Sequence, residues 1–238
     1  ALDANTTGSN NTAIGKDALT AATTASNNVA IGFAAAGALT TGTQNVGIGF
    51  QALDAATTSN SNTAIGYTSM TTMTSGNQNV AVGSGSLHSS TSATNSVAVG
   101  FNALTTNTTG ADNIAVGQAA LDANTTGDNN TAVGNAALSA NTTADGNSAF
   151  GREALNRSTT GALNTAVGHV ALNVNTTGFE NTAVGAGSMD ASTTGAYNTA
   201  VGSQSMSENT TGVQNAAFGG YALDANTTGD FNTAVGMH

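Results

Sequence analysis

The chain has few side chains capable of catalysis or metal binding, and they are far apart in the sequence. Its 238 residues include three histidines and no cysteine. The histidines, His88, His169 and His238, are widely separated. Catalysis requires a nucleophile, a base and an orienting group within reach of one another, and a cysteine-based metal site or disulfide is impossible without cysteine. We therefore expect solvated histidines, no catalytic residue, no cofactor and no enzymatic activity.

Asp128 and Asp145 are one acidic pair that a metal ion could use, because they lie 17 residues apart in a chain that repeats with that period. In a stacked fold their carboxylates would lie about 5 Å apart, and Ca²⁺ prefers several oxygen ligands. However, the glycine-rich nonapeptide pattern of calcium-binding β-rolls is missing. The sequence therefore favours solvated surface acids and predicts no metal site.

Charge and hydropathy narrow the possible partners. The formal net charge is −10, with only three Lys and Arg residues, which argues against a nucleic-acid partner because phosphate contacts require basic side chains. No run of 18 apolar residues is present, so we expect no membrane span in this segment. The sequence begins in mid-pattern, and we expect any export signal or anchor to lie outside it.

The whole chain is a tandem array with a period of 17 residues. The glycine of an Ile-Gly, Val-Gly or Phe-Gly step recurs at every 17th residue from 15 to 236, and fourteen repeats fill the 238 residues. With Ala1–Asp17 as the first repeat, position 6 is always Thr and position 15 always Gly. Position 11 is Asn except at Ser96, and position 13 is Ala except at Gly47. Since no insertion interrupts it, the array predicts one continuous domain over residues 1–238, with no internal boundary.

A 17-residue unit is too short for a helix pair, and Gly, Asn and Thr are poor helix formers. We predict an all-β fold, a parallel β-solenoid (β-roll) of fourteen coils with two short strands each, at positions 2–7 and 11–15. Alternation then points positions 2, 4, 6 and 13 inward and positions 3, 5 and 7 outward. The asparagines at position 11 are expected to stack their amides from coil to coil or to bind the turn backbone.

The Val/Ile column at position 14 then requires an apolar cover, which another copy of the chain supplies most simply. This predicts a homo-oligomer packed along the solenoid. The alternative is a monomer with position 14 inside and position 13 outside.

The motifs NTAIG, NVAIG, NVAVG, NSVAVG (residues 95–100) and NTAVG, each followed by two variable residues and Ala or Ser, resemble the head repeats of trimeric autotransporter adhesins. Arrays of NTTG…NTAVG are also similar to segments of phage tail fibres and bacterial surface fibres. The resemblance implies a left-handed homotrimer, displayed at a bacterial surface or on a virion, with an adhesive or structural role. The period here is longer than in the usual adhesin head, and the extra length holds the TTG segment.

Three kinds of function follow. The perfect periodicity favours an extracellular structural or adhesive fibre that can polymerise end to end. Its expected partners are further copies of the chain, a host surface protein or a glycan. A phage tail-fibre shaft is the alternative with the same architecture. An ice-binding solenoid requires a flat outward threonine ladder, but alternation points only the position-7 threonines outward. A glycan-degrading solenoid requires clustered acids and long loops, and neither is present.

Aromatic residues concentrate at the variable position 16. Phe33, Phe50 and Tyr67 occupy it in three consecutive repeats, and Phe101 returns there two repeats later. Such a ladder is a candidate contact surface for a sugar ring or a protein, and packing is favoured because exposed apolar groups promote association.

The segment Asn-Thr-Thr is also a glycosylation sequon. We favour a strand-and-turn role for it. The sequons begin at Asn5, Asn107, Asn124, Asn141, Asn175, Asn209 and Asn226.

Overall fold

A computed structural model describes residues 1–237 and shows an all-β chain with one three-residue strand in each repeat. Within these residues no helix occurs. Each strand covers positions 12–14 of its repeat. The strands are β1 (Thr12–Ile14), β2 (Val29–Ile31), β3 (Val46–Ile48), β4 (Thr63–Ile65), β5 (Val80–Val82), β6 (Val97–Val99), β7 (Ile114–Val116), β8 (Thr131–Val133), β9 (Ser148–Phe150), β10 (Thr165–Val167), β11 (Thr182–Val184), β12 (Thr199–Val201), β13 (Ala216–Phe218) and β14 (Thr233–Val235).

The chain comprises two compact units, Ala1–Gln118 with β1–β7 and a second unit from Ala119 onward with β8–β14. In each unit every strand pairs in parallel with the strand of the next repeat, position for position. Ala13 lies opposite Ala30 in the first unit, and Ala166 lies opposite Ala183 in the second. Each 17-residue repeat is therefore one coil of a parallel β-solenoid, which confirms the predicted fold class. Handedness, chain number and the continuity of the array stay predictions.

The predicted second strand, at positions 2–7, is wrong: in the described residues this segment forms turns. The residues at positions 17 and 2 adopt left-handed backbone, as at Asp17 with φ 60° and Leu19 with φ 49°. Left-handed residues break an extended strand, and β-branched residues are outliers there. Position 2 holds only Leu, Met or Ala in all fourteen repeats, and this avoidance of β-branched residues signals the turn.

The interior of each unit is a set of buried columns. Away from the first and last coils, positions 13 and 2 are fully buried, for example at Ala30 and Leu53, whereas Ile65 at position 14 is 37% exposed. The prediction that position 13 faces the leucine column is confirmed, and the alternative with position 14 inside is wrong.

Two further columns complete the core. Position 1 is a buried Ala or Ser, as at Ala18. Position 5, predicted to point outward, is also buried, as at Leu39, Met73 and Asn141. That prediction failed because strand alternation does not apply within a turn.

The position-11 asparagines form a buried ladder that makes both predicted kinds of hydrogen bond. The backbone N–H and Nδ2 of Asn79 both donate to Oδ1 of Asn62, at 2.9 and 3.1 Å. Nδ2 of Asn62 also donates to the carbonyl of Gly76 in the next coil at 2.8 Å. Each amide thus binds the strand entry of one coil to the corner of the next, and it satisfies backbone groups that burial would otherwise leave unpaired.

A second amide ladder, at position 5, is incomplete in the second unit. Nδ2 of Asn141 donates to Oδ1 of Asn124 at 3.0 Å, but the following coil has Ser158 at this position, and the buried Oδ1 of Asn141 has no hydrogen-bond partner. The same break recurs at Asn175: its buried Oδ1 has no hydrogen-bond partner, and the following coil has Ser192 at position 5.

Substitution of Ser158 by asparagine should stabilise the second unit by about 1 kcal/mol, because its Nδ2 can donate to the orphaned Oδ1 of Asn141. Urea unfolding followed by circular dichroism measures the change. Ser158→Ala is the matched control, since it leaves Asn141 unchanged and removes only a 3.3 Å hydrogen bond to Gly161. Equal or lower stability of Ser158→Asn relative to the native chain would contradict this interpretation.

Candidate functional site

Positions 12 and 14 of each coil form the outer sheet face, which lies opposite the buried alanines of position 13. It carries Val, Ile, Thr and a few other side chains in regular rows. Away from the first and last coils, every position-14 side chain is partly exposed, and five of them reach 36–43%: Ile65, Phe150, Val167, Val201 and Phe218. The position-14 column is therefore apolar, regular and partly open to solvent in the single chain, as the sequence predicted.

The two columns of the outer sheet face compensate for each other in size. Position 14 is phenylalanine only at Phe150 and Phe218. Those two coils have Ser148 and Ala216 at position 12, where every other coil has Thr, Val or Ile. In both of these strands the large position-14 side chain therefore has a small position-12 residue beside it on the same face.

The predicted aromatic ladder is present in the first unit. The rings of Phe33, Phe50 and Tyr67 stack with centroids 5.3 Å apart in both steps and interplanar angles of 14° and 11°. Nζ of Lys16, which holds position 16 in the preceding coil, lies 5.8 Å from the Phe33 ring centroid. Phe101 occupies the same position two coils after Tyr67 and is separated from it by Ser84.

The described histidines and the Asp128–Asp145 pair contact the backbone or the solvent. Nδ1 of His88 lies 3.2 Å from the carbonyl of Thr68 in the first unit, His169 is exposed in the second, and His238 lies outside the described residues. The predicted Asp128–Asp145 proximity is accounted for by a backbone contact, because Oδ1 of Asp145 accepts a 2.7 Å hydrogen bond from the N–H of Asp128.

Within residues 1–237, no three His, Asp or Glu side chains converge as metal ligands would. Partial burial raises the pKa of Asp54, Asp122 and Asp190 above the ordinary carboxyl value, and at Asp190 the charge of Glu208 adds to the rise.

The sequons are structural turn elements. Five of the seven asparagines are fully buried: Asn107, Asn124, Asn141, Asn175 and Asn209. Nδ2 of Asn175, for example, donates to the carbonyl of Gly178 three residues later at 2.9 Å. An oligosaccharide on a fully buried amide would require the coil to open, so the turn half of the predicted strand-and-turn role is confirmed at these positions.

The hydroxyl groups of the threonines at position 6 form hydrogen bonds to the next coil. Oγ1 of Thr159 donates to the carbonyl of Thr176 in the next coil at 3.0 Å, and the same bond recurs at Thr23 and Thr40. These side chains are half-buried, whereas the position-7 threonines, such as Thr177, are exposed. The prediction that position 6 points inward is therefore wrong, because none of these threonines is fully buried and Thr74 and Thr91 are exposed.

No helix among the described residues is long and apolar enough to cross a membrane. No protein-family model matches the chain, and no curated protein is similar enough to count as a relative.

Proposed function

We propose that this chain is a non-enzymatic structural or adhesive fibre protein whose outer sheet face packs against further copies of itself. The observation that carries this proposal is the outer sheet face: its position-14 column is apolar and partly exposed, and its columns at positions 12 and 14 compensate in size at Phe150 and Phe218. Burial of such a face contributes about 25 cal/mol per Å² of apolar surface, and the same contact repeats in every coil.

The resemblance to trimeric adhesin heads makes three chains the expected number and left-handed the expected sense. It also supports display at a bacterial surface, or on a virion if the chain is a segment of a tail-fibre shaft. The contacted host protein or glycan would be recognised by the variable corner positions.

Charged substitutions on the outer sheet face test self-association. The double variant Val167→Lys and Val201→Lys places two cations on the outer sheet face, and burial of unpaired charges is costly, so sedimentation velocity should show monomers where the native chain forms oligomers. Thr177→Lys, on the exposed position-7 column, is the matched control and should leave the oligomer intact. An unchanged oligomer in the double variant would overturn the proposed interface.

Size compensation provides a sharper second test. Ala216→Thr beside Phe218 overfills the coil and should weaken association about tenfold or more, as overpacking costs typically 1–3 kcal/mol. Adding Phe218→Val recreates the Thr-Ala-Val strand found in other coils and should restore association. If single and double variants associate equally, the face does not pack against a complementary surface.

Ice binding is the second candidate, because the exposed outer sheet face carries threonine at position 12 in seven coils. The protruding rings of Phe150 and Phe218 interrupt that surface in the second unit. Thermal hysteresis of the monomeric double-lysine variant and the native chain separates the candidates: activity in the native chain alone would favour ice binding over a fibre.

A further inference from the structure

The aromatic ladder of the first unit has a one-coil gap, and we propose that this gap is a binding slot for a saccharide ring. Tyr67 and Phe101 form its walls, Ser84 and Gly85 form its floor, and Asn102 lies at its side. The slot lies at the corner after each strand, off the outer sheet face, so the proposal does not depend on self-association.

The walls have the exposure expected of rings with an uncovered face. Phe33 and Phe50, within the continuous stack, are 42% and 41% exposed, whereas Tyr67 is 59% and Phe101 55% exposed. Tyr67 stacks on Phe50 on one side, and on its other side the next coil has only Ser84 at position 16. The ladder therefore ends at a wide aromatic surface instead of continuing to the next ring.

The width of the gap limits its occupant to a single ring. Two coil steps of about 4.8 Å separate the position-16 residues Tyr67 and Phe101 by about 10 Å. Since carbon atoms in contact lie about 3.5–4.0 Å apart, an occupant touching both walls must itself be about 2–3 Å thick between its outer carbon or oxygen atoms. One ring therefore fits between the walls, and a puckered saccharide ring with substituents above and below its mean plane has this thickness.

The floor is small and polar. Ser84 and Gly85 provide the smallest pair of residues at positions 16 and 17 within the first unit, and two hydrogen bonds of 3.0 Å fix the backbone there, from Gly85 N–H to the Tyr67 carbonyl and from Asn102 N–H to the Ser84 carbonyl. A Cβ on Gly85 would overlap Oδ1 of Asn102, so this amide rests directly on the floor.

Within residues 1–237, the side chains of Ser84 and Asn102 make no hydrogen bond to the protein. Aromatic walls with a hydroxyl and an amide between them suit a ring that has apolar faces and polar edges.

Saturation-transfer NMR with maltohexaose, cellohexaose and chitohexaose tests the slot. Irradiation of the aromatic protons should transfer saturation to the ring protons of at least one of these oligosaccharides. Ser84→Phe fills the gap with a residue that already occupies position 16 at Phe33, Phe50 and Phe101, so the coil should fold normally and the transfer should disappear. Phe101→Ala removes one wall and should weaken binding about tenfold.

Ser203→Phe is the matched control, because Ser203 also holds position 16 but lies between Ala186 and Gly220; this variant should bind as the native chain does. Three outcomes overturn the proposal: no transfer to any of the three sugars, equal transfer in Ser84→Phe, or equal loss in Ser203→Phe. Transfer to octaproline that Ser84→Phe abolishes, with none to the sugars, would also overturn the saccharide assignment.

Discussion

Substitution of Asn62 by leucine should lower the free energy of unfolding by about 3–5 kcal/mol, because two buried backbone groups lose their partner. The N–H of Asn79 donates to Oδ1 of Asn62 at 2.9 Å, and Nδ2 of Asn62 donates to the carbonyl of Gly76 at 2.8 Å. Asn62 is fully buried, so water cannot replace either bond while the coil stays closed. Urea unfolding monitored by circular dichroism measures the loss.

Two controls separate the lost hydrogen bonds from the change in shape. Asn62→Ser should cost only about 1–3 kcal/mol, because serine keeps an acceptor for the next coil, as Oγ of Ser96 does for the N–H of Asn113 at 3.3 Å. Asn164→Leu should cost less than Asn62→Leu, because the carbonyl that Asn164 binds, Gly178, also accepts a hydrogen bond from Asn175. Equal losses in all three variants would mean that the amide bonds are not the cause.

Gly168→Ala should destabilise the second unit by about 3–5 kcal/mol, through backbone strain and steric overlap together. Gly168 has φ 136°, a conformation that is essentially restricted to glycine. A Cβ there would lie 2.6 Å from both the carbonyl carbon and oxygen of Gly185 in the next coil. Thermal unfolding of the variant should show the loss as a lower midpoint.

Gly220→Ala is the matched comparison for Gly168→Ala. At Gly220 the nearest atoms to an added Cβ are the Ser203 carbonyl oxygen at 3.7 Å and Cγ of Met237 at 3.8 Å, so the change in stability should stay within about 0.5 kcal/mol. A Gly168→Ala variant as stable as Gly220→Ala would show that adjacent coils can separate at this corner without loss.

The sequence predicted the solenoid because fourteen samples of one unit reveal which positions tolerate change. The fixed glycine and the near-invariant Asn and Ala of the NTAVG segment lie where one coil contacts the next. In the structure the asparagines form the buried ladder, the alanines lie opposite one another in paired strands, and the glycines form the corner. The segment at positions 2–7 was misassigned because Leu, Ala and Thr are compatible with a strand when read by alternation alone. The left-handed residue at position 2 that prevents a strand, as at Leu19, is never glycine in this chain, so no glycine marks it.

The candidate contact surfaces were predictable only in part. The spacing of Phe33, Phe50 and Tyr67 predicted a ladder, since equal positions in consecutive coils must stack. The slot at Ser84 could not be derived from spacing, because it depends on unequal exposure of rings and on the Asn102 amide lying over Gly85. Likewise, the small size of Ala216 beside the large Phe218 can be interpreted only once both side chains are known to lie on the outer sheet face.

The amide ladder at position 11 has a consequence for how such a chain can change length. Its bonds join each residue to partners 14 or 17 positions away, so deletion or duplication of one whole coil within a unit rejoins like with like. Loss of sixteen residues instead would set an asparagine against a strand residue and interrupt the ladder. The length of this protein is therefore expected to vary in steps of one whole coil.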